Sequence, residues 1–344
     1  MNTLNTLLSR FLMLGIMVAT LPGLVFAKTT STVIGAMPAP PMGAGPGKMI
    51  VLPLRQKDKP VYLTFGDPGT PSGNSFYVAQ SKELAYIPSA AGYTDIFNMR
   101  TQKRVNQFKT IDGGRVAALS SRNDMVVVLS GKQLAAYSAT DGKKRYNVNY
   151  GGNAVVFNND QSRMFVGGNM NDSIAEINTY TGKILNRIPI GHSGDLAWAN
   201  GFLYSANMKT GVMTAYNPYT QKTISMKTPE SDPNFSYHRI AKAHAGFMQL
   251  AVSPDQKLVY AAGFSGHILR FSTDKPAYLG EVKISANESG PNKLSGLAII
   301  GKGKQAICSV ENLDESIIVD LSNGRIVKRL PNVVSNRWVV ATSH

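Results

Sequence analysis

The sequence predicts an all-β protein, a seven-bladed β-propeller whose closing blade is made from both ends of the chain. Three observations point there. Short runs of alternating apolar and polar residues, bounded by turn residues, recur through most of the 344 positions. A Lys or Arg that closes one particular turn returns at near-constant spacing. The two ends of the chain supply strands that belong to no complete unit, and a propeller without a free edge needs them joined.

The repeating unit is clearest at 155–191. Val155, Val156 and Phe157 form one strand, Asn159-Asp160 turns, and Phe165-Val166 ends a second strand. Residues 173–178 alternate apolar and polar, Thr181-Gly182-Lys183 turns again, and 184–190 form the fourth strand. Four antiparallel strands in about forty residues make one propeller blade. The residue closing the third turn falls at Lys103, Lys143, Lys183, Lys222, Lys275 and Arg325, at intervals of 40, 40, 39, 53 and 50. The two long intervals contain insertions at 228–237 and 286–292. Third strands are expected at 93–98, 133–138, 173–178, 212–217, 267–272 and 316–321. Second strands are expected at 83–87, 125–129, 164–167, 202–206, 258–262 and 305–310. A blade cannot bury both of its faces alone, so such units stack around an axis. The seventh blade is expected from an innermost strand at 337–342 paired with strands at 49–54 and 61–65.

The blade at 165–191, together with Ala251-Val-Ser-Pro-Asp-Gln-Lys-Leu-Val-Tyr260, resembles the YVTN repeat family of secreted seven-bladed propellers. The resemblance covers roughly 49–344 and departs at the fourth unit, where Ala199-Asn200-Gly201 replaces the Ser-Pro-Asp turn. It implies a propeller fold and, in a family of mostly binding proteins, a non-catalytic role. It also leaves a second class open, an enzyme or the propeller subunit of a periplasmic enzyme, such as a lactonase or an amine dehydrogenase. Fold alone does not choose between them.

Taken in order, residues 1–27 read as a signal peptide: Arg10 supplies the charge, 11–20 the apolar stretch, and Val25-Phe26-Ala27 the cleavage site. The protein is therefore expected in the periplasm or outside the cell, and not integral to a membrane after cleavage. Residues 28–48, rich in Pro, Gly and Ala, are expected as a flexible segment. Residues 49–344 are expected as one propeller domain. The lone Cys308 sits in an apolar strand; it cannot make an internal disulfide and reads as a small buried hydrophobe. Trp198 and Trp338 lie on innermost strands and are expected in the core between blades.

Charge adds the next constraint. The formal net charge is +15. In an antiparallel four-stranded blade the first and third turns emerge on one face of the disc. Those turns carry nineteen basic residues against seven acidic ones, while the opposite face carries seven against ten. A face of one sign attracts polyanions or acidic proteins in a salt-dependent way. Lys103, Arg104, Lys143, Lys144 and Arg145 are the expected polyanion contacts. No aromatic platform is evident in these turns, so nucleic acid would be held through its phosphates.

On the other face, His192 and His244 precede innermost strands of adjacent blades, with Asp195 and Arg337 nearby by topology. These four are the expected small-ligand residues at the mouth of the central channel. Two histidines without HxH spacing or a cysteine partner do not make a metal site. There is no Walker loop and no Gly-x-Ser-x-Gly, and one cysteine excludes a CxxCH haem attachment. No cofactor is expected.

Overall fold

The computed structural model describes residues 32–38, 46–54, 59–66, 75, 77–81, 83–231, 249–284 and 293–341. The expected signal peptide and His244 lie outside them. The described residues form seven four-stranded antiparallel sheets, a seven-bladed propeller. The closing blade (blade 7) contains β1 (Thr32–Ala36), β2 (Gly47–Pro53) and β3 (Val61–Phe65). Blade 1 is β4 (Ala79–Gln80), β5 (Leu84–Ser89), β6 (Tyr93–Asn98) and β7 (Lys103–Lys109). Blade 2 is β8 (Val116–Leu119), β9 (Met125–Leu129), β10 (Leu134–Ser138) and β11 (Lys144–Val148). Blade 3 is β12 (Ala154–Phe157), β13 (Arg163–Gly167), β14 (Ile174–Asn178) and β15 (Ile184–Ile188). Blade 4 is β16 (Ser193–Ala199), β17 (Phe202–Asn207), β18 (Met213–Asn217) and β19 (Lys222–Met226). Blade 5 is β20 (Leu250–Val252), β21 (Leu258–Ala262), β22 (His267–Ser272) and β23 (Ala277–Lys283). Blade 6 is β24 (Leu294–Ile300), β25 (Gln305–Val310), β26 (Glu315–Asp320) and β27 (Ile326–Pro331). Finally β28 (Val339–Ala341) returns to blade 7 as its innermost strand.

The strand pattern explains the packing. Second and third strands are apolar on both faces, as in Met-Val-Val-Val-Leu of β9, where every residue is buried. Because side chains alternate across a strand, the two faces of one strand serve two different interfaces. Val126 and Val128 pack toward blade 1, whereas Met125, Val127 and Leu129 pack toward blade 3. The result is seven separate hydrophobic clusters, one between each pair of neighbouring blades. Each fully buried aliphatic side chain contributes roughly 1.5–3 kcal/mol, so the interfaces hold the fold and the single blade does not.

Outer strands read differently. Lys-Arg-Val-Asn-Gln-Phe-Lys of β7 is exposed along most of its length. These are open sheet edges, and charged side chains on them discourage pairing with another chain. In five blades a β-bulge interrupts the pairing of the third and fourth strands, at Ile96/Phe97, Ala136/Tyr137, Glu176/Ile177, Arg270/Phe271 and Ile318/Val319. The bulge increases twist and turns the edge away from a flat approach.

Turn chemistry repeats with the strands. Ser253 Oγ donates to Asp255 at 2.6 Å while accepting from the Leu258 N–H at 2.9 Å. Ser120 does the same for Asp124 and Met125, at 2.7 and 3.2 Å. In the third turns of blades 3 and 4 the residue before the closing cation has a left-handed backbone: Gly182 at φ 72° and Gln221 at φ 55°. A Cβ at Gly182 would also come within 2.5 Å of the Tyr146 ring of blade 2. Tyr146 in turn donates to the Thr179 carbonyl of blade 3, and Tyr204 of blade 4 donates to the Ser272 carbonyl of blade 5 at 3.1 Å.

Ring closure from both ends is as expected, with one correction. The expected inner strand pairs not with 49–54 but with β1, through Thr32↔Ala341 and Ile34↔Val339; β1 then pairs β2. Residues 32–36 are therefore a buried strand within a segment expected to be flexible throughout. The reason is local: Val33 and Ile34 are β-branched and 0% exposed, and the Pro/Gly-rich composition around them belongs to the stretch that follows. Among the described residues no helix is long and apolar enough to cross a membrane.

Candidate functional site

Four links that lead to innermost strands converge on one buried polar hub. Asp195, on β16, is 1% exposed. Its Oδ2 accepts from the Tyr77 hydroxyl at 2.5 Å and from the Leu250 N–H at 2.8 Å. Arg337, just before β28, is 0% exposed, and its Nε lies 4.0 Å from the same oxygen. The guanidinium also donates to the Gly194 carbonyl and the Asn336 carbonyl, each at 3.0 Å, and sits 5.3 Å from the centre of the Tyr77 ring. Tyr77 leads into blade 1 and Asp195 belongs to blade 4. Those blades are not neighbours, so the bond between them crosses the middle of the ring.

A second set of bonds runs beside the first. The Gln249 side chain donates to the Trp338 carbonyl at 2.8 Å and accepts from the N–H groups of Trp338 and Leu297, at 2.8 and 2.7 Å. Trp338 Nε1 donates to Ser309 Oγ at 2.9 Å. Asn153 Nδ2 reaches the Gly194 carbonyl at 3.0 Å. Together these side chains tie innermost strands of blades 1, 3, 4, 5, 6 and 7.

Burial governs the hub's ionisation. It pushes the Asp195 carboxyl above its ordinary range, against the opposing pull of Arg337, Tyr77 and two backbone N–H groups. Burial first, and then the Asp195 charge, push the Tyr77 phenol well up, so Tyr77 remains a proton donor. The hub is thus a cation, a carboxyl and a phenol whose polar atoms are directed at one another and at the backbone.

The four expected ligand residues separate accordingly. Asp195 and Arg337 meet each other inside the hub. His192, in the link that leads into β16, has a left-handed backbone at φ 54°. Its Nδ1 is 2.9 Å from the Asn169 carbonyl, and its Nε2 is 3.0 Å from the Lys209 ammonium. A carbonyl can only accept and an ammonium can only donate, so these two contacts suit a proton on Nδ1, while the Asp172 carboxylate lies 3.7 Å from Nε2. His244 lies outside the described residues.

The five expected polyanion residues lie together on blades 1 and 2, at the start of exposed outer strands. Lys103 and Arg104 open β7, and Lys144 and Arg145 open β11, with Lys143 just before. All five are exposed. Arg104 pairs with the buried Asp95 at 3.2 Å, Arg145 with Asp124 at 3.1 Å, and Lys143 with Asp141 at 3.2 Å. Hydrogen bonds from serine hold several acids of these turns below the ordinary carboxylate range, Asp141 down to about 2. On the opposite face, the acids Asp95, Asp195, Glu230 and Glu315 are buried, as are the bases Lys293 and Arg337. They belong to the interior and not to a surface charge.

Two side chains correct the expectation that these turns lack aromatics. Tyr180 is 56% exposed and Tyr219 is 64% exposed, in the third turns of blades 3 and 4. They occupy the same turn position: each backbone N–H donates to the Oδ1 of an Asn two residues earlier, Asn178 at 3.1 Å and Asn217 at 2.9 Å. The signal was present in Asn178-Thr-Tyr-Thr-Gly-Lys and Asn217-Pro-Tyr-Thr-Gln-Lys once the turns are superposed. Cys308 and both tryptophans are buried as expected, and burial pushes the Cys308 thiol well up.

No family model matches the chain, and no curated protein matches it. Among solved structures, hydrazine synthase from Kuenenia stuttgartiensis is similar at a TM-score of 0.61, with 11% identity, over 78% of this chain and 90% of that one. At that identity the likeness is one of propeller fold alone. Matching solved chains number 1683, so the architecture is widespread and carries no activity with it.

Proposed function

We propose that this chain is an exported propeller of the YVTN type that acts as a non-catalytic binding module, presenting its first- and third-turn face to a polyanion or an acidic protein. The observation that carries the reading is the repeated cation at the end of the third turn, Lys103, Lys143, Lys183, Lys222, Lys275 and Arg325, on turns that a four-stranded antiparallel blade brings to one side. Edge protection accounts for charge on outer strands, but it does not require one sign. An array of cations on one face raises the association rate of an anionic partner and makes binding fall with salt.

The hub supports the binding-module reading over the enzyme reading. Asp195, Tyr77 and Arg337 direct their polar atoms at one another and at the backbone, and an acid–base catalyst has to reach the proton it moves. At the channel mouth the reading keeps His192 as a small-ligand contact, while Asp195 and Arg337 hold the hub. The test is retention of the mature protein on a heparin column across a salt gradient. Steep loss with salt, reduced when Lys143, Lys144 and Arg145 become Gln, is the expected result. Absence of retention at low salt overturns the proposal.

A further inference from the structure

We infer that the turns of blades 3 and 4 form a stacking site for single-stranded nucleic acid, with Tyr180 and Tyr219 as its platforms. The inference rests on the polyanion reading and narrows it to a polymer whose units carry a flat ring as well as a phosphate.

Both rings stand in solvent at the same position of successive blades, where blades 1 and 2 have Arg100 and Thr140 and blades 5 and 6 have Asp274 and Ser322. Nothing in the repeat requires an aromatic there, because the turn is made by the Asn side chain and the left-handed residue that follow one pattern in both blades. An exposed tyrosine is an apolar surface left in water, and two at equivalent places on one face form a platform pair.

Tyr219 is also held from one side. Arg163, at the start of β13 in blade 3, reaches across to blade 4, with its guanidinium 5.7 Å from the centre of the Tyr219 ring. Its NH1 is meanwhile bound to Glu176, which is 3% exposed. The cation is therefore fixed beside the ring by a buried carboxylate, and Tyr219 keeps 64% of its surface exposed. Lys183 and Lys222 close the same two turns three residues after each tyrosine, both exposed. Aromatic faces alternating with cations along a surface are what an unpaired strand needs: bases stack on the rings and phosphates meet the ammonium groups. Duplex DNA hides its base faces and gains nothing from the rings.

The experiment uses the mature chain and three labelled probes in low salt: a twenty-residue oligothymidylate, an abasic phosphodiester of the same length, and heparin. The expected result is that oligothymidylate binds more tightly than the abasic strand. Tyr180→Leu and Tyr219→Leu should each weaken it roughly 5- to 100-fold, leaving the abasic strand and heparin unchanged. Tyr219→Trp should retain binding. Equal affinity for the base-bearing and abasic strands, with no effect of either Leu substitution, overturns the stacking site and leaves the polyanion reading intact. Loss of heparin binding in the Leu variants, with oligothymidylate unchanged, overturns it in favour of an anionic polysaccharide packed on the rings. Failure of all three probes to bind overturns the polyanion reading together with the stacking site.

Discussion

The hub at the centre of the ring and the turns at its rim both carry charge, and the charge does opposite things. At the hub, Arg337 and Asp195 are removed from water and held by Tyr77, Gly194 and Leu250. At the rim, Lys143 and Asp141 form a pair whose lysine side chain keeps 85% of its exposure. Solvent screens the second pair and not the first, so one constrains the fold while the other is available to a partner. In a repeat protein this division has a clear logic. Six repeated turns can vary without disturbing packing, but the middle of the ring exists once and ties six of the seven blades.

The comparison can be broken most severely at the closing blade. Deleting residues 335–344 removes β28, Trp338 and Arg337 together, opens an edge on β1 and takes away the hub's cation. Cooperative thermal unfolding should be lost; a truncated chain that melts like the full one would show that closure contributes nothing.

A smaller break is Asp195→Asn: an amide oxygen turned to the Tyr77 hydroxyl and the Leu250 N–H sets the amide NH2 against the Leu196 N–H. Leaving a buried donor unsatisfied costs about 1–3 kcal/mol, readable as a shift of the urea midpoint. Because burial raises the Asp195 pKa, the folded state binds a proton more readily than the unfolded one. Stability from this group is therefore greatest at low pH and declines as pH rises through the raised value. The gap between wild type and the Asn variant should widen as pH falls toward the ordinary carboxylate range. The exposed turn acids act the other way. Their pKa values are lowered, so what they contribute is present above the ordinary carboxylate value and lost as pH falls below it. A gap that narrows in acid would reverse the assignment of Asp195.

Gln221→Gly tests the rim at its backbone. Gln221 holds φ at 55° where Gly182 holds 72° in the equivalent turn. Relieving that strain should stabilise the protein by about 1 kcal/mol, measured by calorimetry; destabilisation would mean that the Gln side chain has a packing role. Smallest of all, replacing Lys143, Lys144 and Arg145 with Gln should move stability by no more than about 0.5 kcal/mol, whatever it does to polyanion retention. A larger loss would place those residues with the hub and erase the distinction.

The rim was far more legible in the sequence than the hub. Blades announce themselves because alternation and turn residues are local, and β6 and β22 fall at the positions the pattern assigns. Tyr180 and Tyr219 were readable too, since superposing two adjacent turns brings them into register. The hub has no such signature. Tyr77, Asp195, Gln249 and Arg337 come from four links, each separated from the next by at least fifty residues, and only the closing of the ring brings them together. β1 escaped for a different reason: five residues beside a Pro- and Gly-rich stretch give alternation too little length to stand out.

The closing blade also sets an order of events. Ser335 Oγ donates to the Ala36 carbonyl at 2.8 Å across 299 positions of sequence, and β1 cannot acquire its inner neighbour until Val339–Ala341 exist. Six blades can form from contacts that are short in sequence, but the seventh requires the whole chain to be drawn into a loop, with the entropic cost that such a loop carries. Until then a ribbon of finished blades has two ends that match each other. Two such ribbons in proximity could each offer its final strand to the other's β1. The strand that completes the ring is therefore also the one through which two chains would exchange segments, and dilution during refolding should favour the closed monomer.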